Sequence, residues 1–452
     1  MSEAKRSQKH IAVLTFPFTS HVPPLLSLIR KLSAAAPDVK FSFFSTAQVN
    51  ASYFSNDDEF DKIKPFNVDS GLPEGYVRKG DGLPKEEVGF FLKATPGNFQ
   101  KAIQTAVAET GLEISCLITE AFLWFAAGMA KEMQIPWIPF WISGPQSLLV
   151  HFETDNLRQK LGINGPEDRT LEILPGFSKI RAKDIPDGII YGAIDSPFAI
   201  MMQKMAQMLP HATAVATNSF EEFDPIVVNA LKSRLPNFLN VGPFILTSSP
   251  PQNSDPHGCL EWLNGHEKSS VAYIGFGNAA TPPPHEIKAL AEALEASRTP
   301  FLWSLRGKPE EQLPEGFLER TKDYGKIVPW APQIQVLAHS SLGVHVTHCG
   351  WNSVVESVNG VVPMICRTFF ADQGLHLRMV EAEWGIGLEV EGGKFTKDGT
   401  MKALRAILCT EQGKIMREKI GVLKQLGVKA VGSEGSSTAN FKALVEIITS
   451  KN

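Results

Sequence analysis

Cysteine is sparse in this chain and cannot pair off. There are five (Cys116, Cys259, Cys349, Cys366 and Cys409), odd in number and with no Cys-x-x-Cys spacing. That pattern excludes a disulfide framework and a thiolate zinc site. Basic blocks are also missing. With 44 Lys and Arg against 48 Asp and Glu, the formal net charge is −4, so electrostatic capture of nucleic acid has no basis. No stretch approaches the roughly 20 apolar residues of a membrane span. The opening MSEAKRSQKH is polar and the apolar run after it is only strand-long, so no targeting signal is read there and a cytoplasmic protein is expected. Short repeats and low-complexity tracts are absent. No G-x-G-x-x-G follows the first apolar run, which excludes a dinucleotide dehydrogenase. No oligomer signal or protein partner is visible, so monomer is the default expectation.

What is present is enough apolar residue for two cores. The 452 residues are 43% hydrophobic and 20% charged, which suits two domains of about 200 residues each. His10 to Phe16 reads as a buried strand, Pro23-Pro24 opens a helix, and Phe41 to Phe44 is the next strand. Ile114 to Ile118 and Pro136 to Phe140 repeat the theme. The second half restarts with a strand at Ser270 to Phe276, a loop from Gly277 to Pro284 and a helix from His285 to Ser297. Strands follow at Phe301 to Leu305, Lys326 to Val328 and Gly343 to Thr347. Strand–helix–strand order implies parallel sheets with crossover helices, hence two Rossmann-like α/β domains. The boundaries expected are 1–243 for the first, a linker at 244–256 in the Pro- and Ser-rich run Pro243 to Gly258, and 257–430 for the second. An amphipathic helix closes the chain within 431–452.

The densest chemistry lies between Trp330 and Gln373, WAPQIQVLAHSSLGVHVTHCGWNSVVESVNGVVPMICRTFFADQ. Ligands in open parallel sheets sit beyond the carboxyl ends of strands. His348-Cys349-Gly350-Trp351-Asn352-Ser353 is the exit loop of such a strand and opens a helix. Its backbone N–H groups and dipole favour a diphosphate, and Gly350 permits close approach. Glu356, about one turn further on, is placed to accept from both hydroxyls of a ribose. Trp330 offers a stacking face for a base, with the backbone near Ala331 and the side chain of Gln333 available to its edge.

This segment closely resembles, without a gap, the plant signature of the UDP-sugar-dependent family 1 glycosyltransferases. The likeness runs along nearly the whole chain and is nearest to the flavonoid 3-O-glucosyltransferases. It implies the GT-B architecture, with two Rossmann-like domains facing a cleft and the C-terminal helix returning to the first domain. It also implies a UDP-sugar as co-substrate, a phenolic acceptor, and no metal or further cofactor. By resemblance His348, Asn352 and Ser353 meet the diphosphate, with Gly350 and Trp351 in the same turn. Asp372 and Gln373 match the pair that holds sugar hydroxyls, and a terminal Gln leans toward glucose.

His21, in the loop before Pro23-Pro24, stands at a helix N-terminus that disfavours imidazolium, so it is expected neutral and able to accept a proton. The resemblance makes it the base that deprotonates an acceptor hydroxyl, giving inversion at the sugar carbon. Glu120 stands where the pattern has an Asp that steadies this histidine. Phe18, Thr19, Phe122, His151, Phe198 and Phe370 fall at acceptor-lining positions, and Lys85 aligns with a residue that fixes distal flavonoid hydroxyls. The chain departs from the pattern in the loop GFGNAATPPP, where relatives read SFGT or SFGS. Gly275, Asn278 and Ala280 lose hydroxyls near the phosphates, although Asn278 keeps a donor. Ile142 replaces a threonine, and His376 an asparagine. The expected function is transfer of glucose from a UDP-sugar to a flavonoid hydroxyl, 3-O first. The alternatives are another sugar (galactose, rhamnose or xylose), or a phenolic-binding protein with lost or weak transfer.

Overall fold

Residues 8–18, 21–54, 62–77, 85–247, 255–277 and 280–450 are described by the computed structural model. The first apolar run becomes β1 (His10–Leu14), all five residues buried. Burial of both faces is what a central parallel strand demands and what its unbroken apolar sequence allows. Pro23 and Pro24 then fall in the first turn of the helix Val22–Ala35, where a missing N–H and a fixed φ cost nothing. That helix leads into β2 (Lys40–Ser45), and the alternation continues through β3 (Ile63–Asn67), β4 (Cys116–Glu120), β5 (Trp137–Trp141), β6 (Val215–Thr217) and β7 (Phe238–Asn240). These seven strands form one sheet in the order β3-β2-β1-β4-β5-β6-β7, and every pairing is parallel.

A second sheet repeats the plan with β8 (Val271–Gly275), β9 (Phe301–Ser304), β10 (Gly325–Val328), β11 (Leu342–Thr347), β12 (Met364–Cys366) and β13 (Gly387–Glu389). Its order is β10-β9-β8-β11-β12-β13, again all parallel. In both sheets the winding reverses beside the first strand, between β1 and β4 and between β8 and β11. Loops leaving those neighbouring strands diverge and open a crevice, the usual ligand position in doubly wound sheets.

By contact the chain divides into two compact units. One comprises 1–163, 188–244 and 430–452, the other 164–187 and 245–429. The segment 164–187, expected in the first domain, groups instead with the second. Its reason is local. Asp184 receives the Arg378 guanidinium at 3.2 Å, and the Lys179 ammonium donates to the Ala382 carbonyl at 2.9 Å. The proposed linker at 244–256 lies partly outside the described residues.

The C-terminal helix Ser436–Thr449 buries Leu444 and Ile448 in the cluster that contains Ile11, Val13, Leu25 and Phe41. No helix among the described residues is long and apolar enough to cross a membrane. Because Leu444 is fully buried among these side chains, Leu444→Ala should cost about 3 kcal/mol through lost burial and a residual cavity. Urea denaturation of both proteins checks this, and an unchanged midpoint would mean the helix is not part of that core.

Candidate functional site

In the first unit the switch point brings together two residues 99 positions apart in sequence. His21 follows β1 and caps the helix Val22–Ala35; Glu120 is the last residue of β4. Since β1 pairs directly with β4, the loop from β1 to His21 leaves the sheet beside the strand end that carries Glu120. His21 Nδ1 lies 3.6 Å from Glu120 Oε1, slightly beyond a hydrogen bond. Bonds of this kind commonly tighten only once substrate is in place. The other carboxylate oxygen accepts from the Phe122 backbone N–H at 3.3 Å, which fixes the rotamer. Burial pushes the Glu120 carboxyl above the usual carboxylate range, with His21 and the Phe122 N–H pulling the other way.

Aromatic rings enclose this pair. The imidazole centroid is 5.0 Å from Phe16 and 4.8 Å from Phe122. Phe18 packs edge-on to Phe16 and Phe91, and Phe198 edge-on to Phe122. Phe198 is 40% exposed, so its ring stands at the rim. His151 is one layer back, buried against Trp141, which touches Phe122 in turn. Lys85 begins the helix Lys85–Ala94, and Thr19 lies outside the described residues. Phe370 belongs to the second unit, where its backbone N–H donates to Gln373.

The second unit builds a different kind of site at its own switch point. β11 runs into Cys349, which takes the left-handed conformation at φ 63°, and Gly350 then caps the helix Trp351–Gly360. The imidazole of His348 is wedged between two glycines. A β-carbon on Gly277 would come within 2.9 Å of the ring and one on Gly350 within 2.4 Å. Gly277 also has φ 68°, so side chains are excluded there twice over. Gly350 is thus required by the histidine in addition to any approach of a phosphate. Burial lowers the His348 pKa to about 4, against the pull of Asp372, so the ring acts as a neutral hydrogen-bonding group and not as a cation. Its buried Nδ1 has no hydrogen-bond partner among the described residues.

Trp330 is 43% exposed, which leaves a ring face open to a base. Ala331 beside it is buried, so only its backbone is on offer. Gln333 differs from expectation. Its amide N–H₂ donates to Glu356 at 2.6 Å and to Ser353 at 3.2 Å, and its oxygen accepts from the Tyr273 hydroxyl at 3.1 Å. Both ends of the side chain are thus taken up by Glu356, Ser353 and Tyr273, where a base edge was expected. Asn352 is half-buried on the first turn of the same helix. Gln373 spends its amide oxygen on the backbone N–H groups of Phe369 and Phe370 at 2.8 and 3.3 Å, leaving the N–H₂ end for a ligand. Asp372, just before it, is 22% exposed.

Two expected donor residues do not present side chains. Trp351 is buried with its ring against His376, and Ala280 is buried in the apolar core beside Phe276 and Leu305. Both are apolar groups with core to fill, so only their backbone remains available; the Ala280 carbonyl already accepts from Arg306 at 3.1 Å. Asn278 lies outside the described residues. Tyr273 was not anticipated, although it sits two residues before Gly275 and therefore on the same face of β8.

Two doubly wound parallel sheets, with a histidine beside a buried carboxylate at one switch point and a His-Cys-Gly turn opening a helix at the other, are the architecture of GT-B glycosyltransferases. The family described as UDP-glucoronosyl and UDP-glucosyl transferase matches residues 94–426, and the chain belongs to it. It is 51% identical over 445 residues to the anthocyanidin 3-O-glucosyltransferase UFGT of Vitis vinifera, covering 97% of each chain. It is also 51% identical over 453 residues to the anthocyanidin 3-O-galactosyltransferase F3GT1 of Actinidia chinensis var. chinensis, covering 99% of this chain and 98% of the other. A crystal structure of a UDP-glucose:anthocyanidin 3-O-glucosyltransferase in complex with UDP superposes with TM-score 0.93 at 41% identity, over 99% of this chain and 100% of that one.

Glu356 supplies a pH test. Burial raises its carboxyl from 4.5 to about 7, opposed by the Gln333 amide. The folded chain therefore keeps this proton where the unfolded chain has lost it. The group's contribution to stability is complete below about pH 4.5 and is lost as the pH rises through about 7. Glu356→Gln cannot ionise, so relative to wild type it should gain on the order of 2–3 kcal/mol in stability between pH 5 and pH 8. Denaturation at the two pH values measures this, and equal differences at both would refute the burial argument.

Proposed function

We propose that the chain transfers a sugar, glucose in the first instance, from a UDP-sugar to a flavonoid hydroxyl, the 3-hydroxyl before others, with inversion. The observation that carries this reading is the His21–Glu120 pair at the switch point of the first sheet, ringed by Phe16, Phe18 and Phe122. With Nδ1 facing the carboxylate, Nε2 is the nitrogen that accepts the acceptor's hydroxyl proton. The acceptor oxygen forms a bond to the anomeric carbon from the face opposite UDP. The bond from that carbon to the diphosphate oxygen breaks, and its electron pair leaves with UDP. Glu120 stabilises the imidazolium that results.

On the donor side Trp330 stacks on uracil, Glu356 takes the ribose hydroxyls, and the turn from His348 to Ser353 takes the diphosphate. Asp372 and the Gln373 N–H₂ meet the sugar. The phenolic character of the acceptor follows from the ring-lined surroundings of His21 and from the anthocyanidin acceptors in the names of the relatives. Galactose is the second reading for the donor, favoured by the galactosyltransferase that is equally similar to this chain. We read the protein as cytoplasmic and monomeric.

The test is an incubation with a flavonol and a panel of UDP-sugars, read by mass spectrometry. The expected product is a monoglucoside, and no product from any donor would leave a binding protein in place of an enzyme. His21→Ala should lower kcat by at least about a hundredfold, the low end for a positioned base, while the Kd for UDP stays unchanged. Transfer at the wild-type rate would remove His21 from the mechanism.

A further inference from the structure

Gly275 is the last residue of β8 and stands where the family pattern has a serine. A β-carbon built there would lie 2.9 Å from the Tyr273 hydroxyl oxygen, 3.0 Å from Tyr273 Cζ and 3.1 Å from Gln333 Oε1. The space a side chain would occupy at 275 is therefore filled by the end of Tyr273 and by the group it bonds. Tyr273 is buried, and its ring stacks on His345 with centroids 5.2 Å apart. His345 is hydrogen-bonded to Ser357 at 2.8 Å, and Ser357 donates to the Ser353 carbonyl at 2.7 Å. The tyrosine is thus gripped from the helix that carries Ser353 and Glu356.

Gln333 has two chemically different ends, and only one of its two flips suits Glu356. In its ionised form, the one able to accept from a diol at both oxygens, Glu356 cannot donate and needs the N–H₂ end, which it holds at 2.6 Å. The Tyr273 hydroxyl donates to the oxygen end at 3.1 Å and fixes that flip. The Tyr273 hydroxyl, the Gln333 amide and the Glu356 carboxylate therefore form one directed chain. It occupies Glu356 Oε2 and leaves the other oxygen to a ligand.

We infer that Tyr273 is a positioning residue for nucleotide binding, which acts through Gln333 to hold Glu356 for a ribose diol, its hydroxyl lying in space that a side chain at 275 would crowd. The inference rests on the reading of Glu356 as the ribose-binding carboxylate.

Calorimetric titration with UDP tests it and does not depend on which sugar is used. Tyr273→Phe should weaken the Kd for UDP by about five- to tenfold, the worth of a hydrogen bond to a buried polar group. A tyrosine with a purely structural role would lower Tm and leave Kd unchanged, which would overturn the inference. Rescue gives a second, independent reading. Tyr273→Phe combined with Gly275→Ser places a hydroxyl beside Gln333 again and should recover most of the lost affinity. Tyr273→Phe combined with Gly275→Ala adds the same carbon without a hydroxyl and should not recover it. Equal Kd values for the two double variants would overturn the inference. Glu356→Ala is the control for the underlying reading: if its Kd equals wild type, the ribose assignment falls and takes the inference with it. If Glu356→Ala weakens UDP while Tyr273→Phe does not, only the role of Tyr273 is lost.

Discussion

Parallel pairing with crossover connections is the constraint on which the rest depends. It sends every strand of a sheet out through the same edge, so the loops carrying polar groups are gathered without any side chain having to gather them. At the point where the winding reverses, neighbouring exit loops separate. His21 and Glu120 occupy that point in the first sheet, and the His348 turn with the Gly277 loop occupies it in the second. Chemistry placed on those loops inherits its geometry from backbone hydrogen bonding, which is the most rigid part of the protein.

The two sites use burial in different ways. Around His21 the surroundings are aromatic and the lone carboxylate is dry, so Glu120 is costly to ionise unless the imidazole is beside it. Around His348 the same dryness suppresses the cation, pushing the pKa to about 4, and makes the ring a neutral partner. Glu356, at about 7, sits between these cases. As a residue it is buried less completely than Glu120, and its carboxyl receives the Gln333 amide.

Much of this was legible in linear form. The strands at His10, Phe41, Ser270 and Phe301, the proline-started helix and the C-terminal amphipathic helix could be read from apolar runs and their punctuation. Strands β6, β7, β12 and β13 could not, because three residues are too few to show a period. β3 hides behind Pro65, which is tolerated because β3 is an edge strand. The exchange of 164–187 between units rests on Asp184 meeting Arg378, a pairing of residues 194 apart. Among the site residues, the buried places of Trp351 and Ala280 were invisible because sequence records side-chain type and not the depth at which it is used.

The sequence by itself determined the alternation of strands and helices, and with it two parallel sheets, and it determined which side chains stand at the strand exits. Those properties are local, set by runs of residue type and by proline and glycine at turns. Only the tertiary structure decided that His348 needs two glycines around it, that Gln333 serves Glu356, and that Tyr273 reaches past Gly275 to orient it. Apart from Gly350, which lies in the same turn as His348, each of these is a contact between segments separated along the chain. Their chemistry is fixed by how closely packed backbones bring them together, and no spacing along the sequence encodes that distance.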